Sequence, residues 1–226
     1  MRKLCVLAVF SVLVSLGALQ AQDAVKNADG LRATDSYTLV GDKNFVTDFA
    51  ALNDDGTINV VVEIPAGTIA KWEVEKGEGS LKWTYENGQP RNVNYLPYPG
   101  NYGMIPATLL ARENGGDGDP LDALVLGPAV PRGSIVKAKI LGVLKLLDNG
   151  EKDDKVLAVM EGSPMYEANS LVDLVENYPG VINIVELWFS NYKGEGEMES
   201  KGFSDVQMAE NVVNSAVRTY DARNNN

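Results

Sequence analysis

The order of hydrophobic periodicities constrains this chain's fold more than any other feature: nearly everything legible as strand precedes everything legible as helix. Ile58 to Ile64 (INVVVEI) is β-branched and halts at Pro65, and Leu81 to Tyr85 alternates into the hairpin signal Asn87-Gly88. Ala123 to Leu126 is a short apolar run. Ile135 to Leu147 alternates at length and is answered by Val156 to Met160 across Asp148-Asn149-Gly150. Helical spacing begins only in the C-terminal third. Leu171 to Asn177 follows a cap candidate at Ser170, and Val181 to Tyr192 stops at Gly194. Ser204 and Gln207 read as a capping box ahead of Val206, Ala209, Val213, Ala216, Val217 and Tyr220. Strands first and helices last predict an α+β fold, a small β-barrel with flanking C-terminal α-helices.

The N-terminus predicts export. Arg2 and Lys3 precede an apolar run from Leu4 to Leu19, and Ala21 offers a cleavage site, so residues 1–21 read as a signal peptide. The run is shorter than the ~20 residues of a membrane span, and no basic stop-transfer cluster follows it. The expectation is a periplasmic or secreted protein with no stable membrane insertion after cleavage. Residues 22–44 are polar, with turn signals at Asn27-Ala28-Asp29-Gly30 and Gly41-Asp42, and read as a flexible leader to a domain over 45–226.

Composition narrows the chemistry. The 226 residues contain no histidine, and the single cysteine, Cys5, lies in the signal. Ser-His-Asp hydrolysis, imidazole zinc sites, disulfides and thiol nucleophiles are thereby excluded from the mature chain. Loss of Arg2 and Lys3 with the signal takes the formal net charge from −11 to −13. Such a chain repels nucleic acid and suits divalent cations.

The densest acidic segment is Gly115 to Asp122, GGDGDPLD. Asp117, Asp119 and Asp122 repel one another unless a cation sits among them. By itself the segment reads first as a solvated turn, and after that equally as a calcium loop or a catalytic metal site. Asp148 and Asp153 flank a hairpin turn, where charged residues are ordinarily just solvated. Glu63 interrupts an apolar strand, either as its solvent-facing residue or as a ligand. Lys71, Glu73, Arg91, Tyr95, Tyr98, Tyr102 and Tyr192-Lys193 supply donors suited to phosphate beside oxygen ligands suited to hard metals.

Together these motifs resemble those of family I soluble inorganic pyrophosphatases. The signature Asp-x-Asp-Pro-hydrophobic-Asp is met by Asp117-Gly118-Asp119-Pro120-Leu121-Asp122. Around it stand VVVEIP at Val60 to Pro65, Lys71-x-Glu73, Arg91, YPGNYG at Tyr98 to Gly103, GVLK at Gly142 to Lys145, Asp148 with Asp153 and Lys155, and Tyr192-Lys193. Two features depart from the pattern: the signal peptide is unusual in a mostly cytosolic family, and Pro90 stands where some bacterial members carry an acid.

The resemblance implies a five-stranded barrel of the oligonucleotide/oligosaccharide-binding (OB) type, homo-oligomerisation, and hydrolysis of inorganic pyrophosphate with magnesium, or manganese in its place. It implies that Asp117, Asp122 and Asp153 hold a first metal and that Asp122 shares a second. Asp148 and Asp153 would serve a substrate-borne metal, and Glu63 would reach another through water. Two metals about 3.5–4 Å apart would generate a bridging hydroxide, with Asp119 taking the proton. Lys71, Arg91, Tyr102, Lys155, Tyr192 and Lys193 would bind phosphate beside Glu73, and Lys71 and Arg91 would stabilise the departing group. Seven acids (Glu63, Glu73, Asp117, Asp119, Asp122, Asp148, Asp153) against four bases (Lys71, Arg91, Lys155, Lys193) leave a formal −3, so a tetra-anionic substrate needs cations. An exported calcium- or oligosaccharide-binding barrel is the alternative, though it has no use for Arg91, Lys155 and Tyr192-Lys193. Nucleotides and short polyphosphates are further candidate substrates.

Overall fold

The computed structural model describes residues 25–27 and 30–224, so the expected signal peptide lies outside the described residues. The fold is built on one strand, β11 (Ser134–Asp148). Its first turn-free residues, Ile135 to Ala138, pair antiparallel with β4 (Ile58–Ile64). Its middle, Ala138 to Leu144, pairs antiparallel with β13 (Lys155–Met160). β13 runs parallel to β10 (Asp122–Leu126), which pairs antiparallel with β9 (Asn101–Met104), and β9 pairs antiparallel with β4. The pairings therefore run in a ring of five strands that returns to β11. β1 (Val25–Asn27), β12 (Glu151–Lys152) and β14 (Met198–Ser204) attach to β11 outside the ring.

Alternation divides the core between the two faces of this sheet. Along β10, Ala123 and Val125 pack with Val60, Val136 and the helix residues Ala209 and Val213, whereas Leu124 and Leu126 pack with Leu144, Leu157, Val185 and Trp188. The helices are α1 (Leu171–Asn177), α2 (Val181–Asn191) and α3 (Val206–Asn224). Ser170 caps α1 as expected, accepting from the Asp173 amide at 3.1 Å.

The structure corrects three local expectations. Ser204 does not cap α3, because it is the last residue of β14. Asp205 takes that role, its Oδ1 accepting from the Met208 amide at 2.9 Å. Asn101 to Gly103 closes the run Tyr95 to Gly103 (YLPYPGNYG), which reads as a Tyr/Pro/Gly loop, but with Met104 it forms the buried strand β9. The polar stretch expected as a leader is also paired where it is described: β2 (Arg32–Asp35) and β3 (Thr38–Val40) form a hairpin. Through β3 that hairpin joins a second sheet with β6 (Leu81–Trp83) and β5 (Trp72–Val74). It lays Leu31 and Leu39 against a cluster of Phe45, Trp72 and Leu81 and sets Tyr37 against Trp83, too few apolar residues in a polar stretch for composition to show. A short hairpin of β7 (Tyr85–Glu86) and β8 (Gln89–Pro90) turns at the expected Asn87-Gly88. Among the described residues no helix is long and apolar enough to cross a membrane.

Candidate active site

Parallel pairing of β10 with β13 sets the centre of the site, because it puts Asp122 in register with Lys155. Lys155, 2% exposed, donates to Asp122 Oδ2 and to Asp153 Oδ1, each at 2.5 Å. Tyr102 on β9 also donates its hydroxyl to Asp122 Oδ2 at 2.5 Å. Burial would lower the Lys155 ammonium, but Asp122 and Asp153 hold it well above its ordinary range. Asp153 is pushed up by burial and then pulled below the usual carboxylate range by Lys155, with help from Lys193 and Lys71. Asp117 lies in the field of the same acids. Burial first, then Asp122 and Asp153, push its carboxyl up to about 6.

The loop 115–121 is held so that its acids diverge in role. The Asp119 amide donates to Asp117 Oδ1 at 2.8 Å, and the Asp119 carbonyl accepts from Leu110 at 2.8 Å. The Asp119 carboxylate pairs with Lys76. Gly118 sits between them at φ +82°, a conformation that favours glycine.

Glu63 reaches the site through a β-bulge. Val62 and Ile64 face the consecutive residues Gly103 and Tyr102, leaving Glu63 as the extra residue of β4. Of the two readings of Glu63, the solvent-facing one fails: the residue is 5% exposed, and its Oε1 accepts from the Val74 amide at 2.7 Å. Burial, reinforced by Asp122, pushes its carboxyl up to about 8. Gly103 makes this possible, since a Cβ there would lie 1.8 Å from the Val61 carbonyl oxygen.

The donors come from the second sheet and from α2. Lys71 is buried, pairs with Glu73 Oε1 at 3.0 Å and lies 5.1 Å from the Tyr102 ring centroid. Burial opposes its charge, but Tyr98, Glu73 and Tyr192 raise it well above the ordinary lysine range. Its amide donates to the Arg91 carbonyl at 3.0 Å, and the Trp83 indole donates to the same oxygen at 2.8 Å. Arg91 stays near Glu86, 3.9 Å from Nε to Oε1, and its charge helps lower Glu73 against the effect of burial. At the other rim Lys193 donates to Asp148 Oδ2. Tyr192 stacks on Trp188 at 4.7 Å, and burial raises its phenol far above the usual value.

Glu63, Lys71, Glu73, Tyr102, Asp119 and Asp122 bound one cavity of about 500 Å³. Lys155 joins it by its hydrogen bond to Asp122, Asp153 joins through Lys155, and Asp117 lies in the field of Asp122. Asp148 and Lys193 adjoin through Lys193, and Arg91 through Glu73. One participant, Lys76, carries no sequence signal of its own, being one charge among several in a turn. Tyr98, named with the phenolic donors, is buried between Tyr102 at 4.9 Å and Trp188 at 4.3 Å.

The donor set fits a hard divalent cation. Every candidate ligand is a carboxylate oxygen, and the field of Asp122 and Asp153 adds to burial in raising Asp117. As they stand, no three acids among the described residues are gathered tightly enough to grip a metal. The ammonium groups of Lys155, Lys76 and Lys193 are drawn in among them instead.

Residues 60–221 match the family model described as "Inorganic pyrophosphatase". The soluble inorganic pyrophosphatase of Oryza sativa subsp. indica is 34% identical over 166 residues, covering 72% of this chain and 71% of the rice protein. The inorganic pyrophosphatase of Agrobacterium fabrum is 33% identical over 181 residues, covering 74% of this chain and 92% of the bacterial one. The crystal structure of type I inorganic pyrophosphatase from Toxoplasma gondii superposes with a TM-score of 0.74 at 28% identity, covering 87% of this chain and 96% of that one.

Proposed function

Because the chain belongs to the inorganic pyrophosphatase family and hydrolyses inorganic pyrophosphate, we propose that the reaction runs at the cluster around Asp122 and depends on magnesium, with manganese an acceptable substitute. Asp117, Asp122 and Asp153 would hold one cation, Asp122 would share a second, and Asp148 with Asp153 would serve one that arrives with substrate. Glu63 would contribute through water. Divalent cations bound there supply Lewis acidity and cancel the charge that the acids and the substrate bring together.

The remaining steps belong to side chains. Asp119 opens on the cavity and takes the proton of the attacking water. Lys71 and Arg91 carry positive charge to the departing phosphate, and Lys155, Lys193, Tyr102 and Tyr192 orient the phosphoryl oxygens. Glu73 keeps Lys71 aligned through its 3.0 Å ion pair. The observation that carries this reading is the meeting of Asp122 and Asp153 on the single buried ammonium of Lys155, beside Tyr102. A calcium-binding or oligosaccharide-binding module has no use for buried lysines wedged among acids.

The ring of five strand pairings supports an OB-type barrel. The sequence of residues 1–21 supports export to a periplasm or the exterior, and family resemblance supports a homo-oligomer. Cell fractionation and sedimentation test those two points. The function itself is tested by phosphate release from pyrophosphate with magnesium. Wild type releases phosphate, and Asp119→Asn loses roughly 10²–10⁴ in rate. An unimpaired Asp119→Asn enzyme removes Asp119 from the role given to it.

A further inference from the structure

A second cavity, of about 1020 Å³, lies between the C-terminal half of α3 and the loop that carries the acidic signature. Its charge is opposite in kind to that of the catalytic site. Arg112, Arg218, Arg223 and Lys76 line it, against a single acid, Glu113. The other described arginines all have partners: Arg32 pairs with Asp42 at 3.2 Å, Arg91 with Glu86 at 3.9 Å, and Arg132 donates to the Glu63 carbonyl at 2.7 Å. Arg112, Arg218 and Arg223 have no side-chain partner among the described residues. In a chain of net charge −11, three unpaired guanidiniums around one concavity repel one another, and a multivalent anion relieves that repulsion.

This cavity also touches the catalytic loop. Gly118 and Pro120, on either side of Asp119, line it. Arg112 packs on Gly118 so closely that a Cβ there would lie 3.0 Å from its Nε. Lys76 borders both cavities, donates to the Gly118 carbonyl at 3.1 Å and pairs with Asp119. An anion among the arginines competes with Asp119 for that lysine. Released from that lysine, the Asp119 carboxylate is left facing the catalytic cavity, open to the attacking water.

We propose that the arginine-lined cavity is a regulatory site for a triphosphate chain, inorganic or nucleoside-borne, whose binding draws Lys76 from Asp119 and accelerates pyrophosphate hydrolysis. The binding half stands on the cavity alone, and the acceleration rests on the role assigned to Asp119.

The test uses the full chain in two arms. In metal-stripped buffer, where the acidic site repels polyanions, calorimetry with tripolyphosphate and with ATP should show binding to wild type. Binding should be unchanged in Lys193→Met and weakened at least about tenfold in the double variant Arg218→Ser/Arg223→Ser. Equal affinity for the two probes identifies the phosphate chain as the ligand, and tighter ATP binding adds contact of its base with the apolar wall at Val46 and Leu109. With magnesium held at constant free concentration, either probe should raise the wild-type rate by about fivefold. The double variant should keep its basal rate and not respond. Absence of wild-type binding, or equal binding by the double variant, overturns the site. Binding with no change in rate overturns the regulation. Absence of basal hydrolysis would count against the catalytic reading, while the calorimetric arm still decides the site.

Discussion

Lys155 and Asp122 open adjacent parallel strands in register, so the ammonium of one meets the carboxylate of the other at 2.5 Å in a nearly water-free position. A buried ion pair of this kind is a weak source of net stability, but removing one member leaves the other uncompensated. Lys155→Met strips the cation from both Asp122 and Asp153. The metal-free variant should lose about 3–5 kcal/mol of unfolding free energy. Magnesium should restore part of that loss, because it supplies the missing positive charge. Denaturant unfolding with and without magnesium measures both numbers; equal losses in the two conditions would contradict the substitution of cation for ammonium.

Glu63 predicts a pH dependence in metal-free protein. Its folded carboxyl is pushed up to about 8 by burial first and Asp122 second, against an ordinary value of 4.5. A raised acid contributes its stability below the unfolded value and loses it as the pH climbs through the folded one. Stability should therefore decline from about pH 5 to pH 9, by at most of the order of 5 kcal/mol from this group. Unfolding free energies across that range, for wild type and Glu63→Gln, check it. The variant should show the shallower slope.

Gly103 predicts a steric lesion remote from any charge. A Cβ there would fall 1.8 Å from the Val61 carbonyl oxygen and 3.0 Å from the Glu63 amide. Neither atom can yield without breaking the β4–β9 ladder and the bulge that aims Glu63. Gly103→Ala should cost roughly 3 kcal/mol or more and lower hydrolytic activity in the fraction that folds. Thermal unfolding and activity per folded molecule separate the two effects.

The start of α3 distinguishes two neighbours. Asp205 accepts from the Met208 amide, whereas Ser204 belongs to β14. Asp205→Ala should destabilise the protein by about 1 kcal/mol, and Ser204→Ala by roughly half a kilocalorie or less. Chemical denaturation of the two variants side by side decides the point; the reverse order would reinstate Ser204 as the cap.

Elements whose boundaries are local were legible in the chain. Pro65 ends the strand over Ile58–Ile64 and Ser170 caps the helix over Leu171–Asn177. The acidic signature and its donors were legible as a set because each motif keeps its own short spacing. What stayed hidden depends on partners distant in sequence. β9 reads as a loop because its glycine serves a close approach to β4, and β14 reads as polar because only one face of its pairing with β11 is covered. The bulge that turns Glu63 inward exists only relative to Gly103 and Tyr102. Lys76 is invisible for the same reason, since its significance lies in Asp119, supplied by another segment.

β11 pairs with β1, β4, β12, β13 and β14, so one backbone is stitched, directly or through a single intervening strand, to the walls that carry Glu63, Asp122, Asp148 and Asp153. No wall can peel away without breaking those stitches. Amide protons near its middle should exchange only on global unfolding, which means that the constellation is either wholly assembled or wholly lost, with little room for a half-built enzyme.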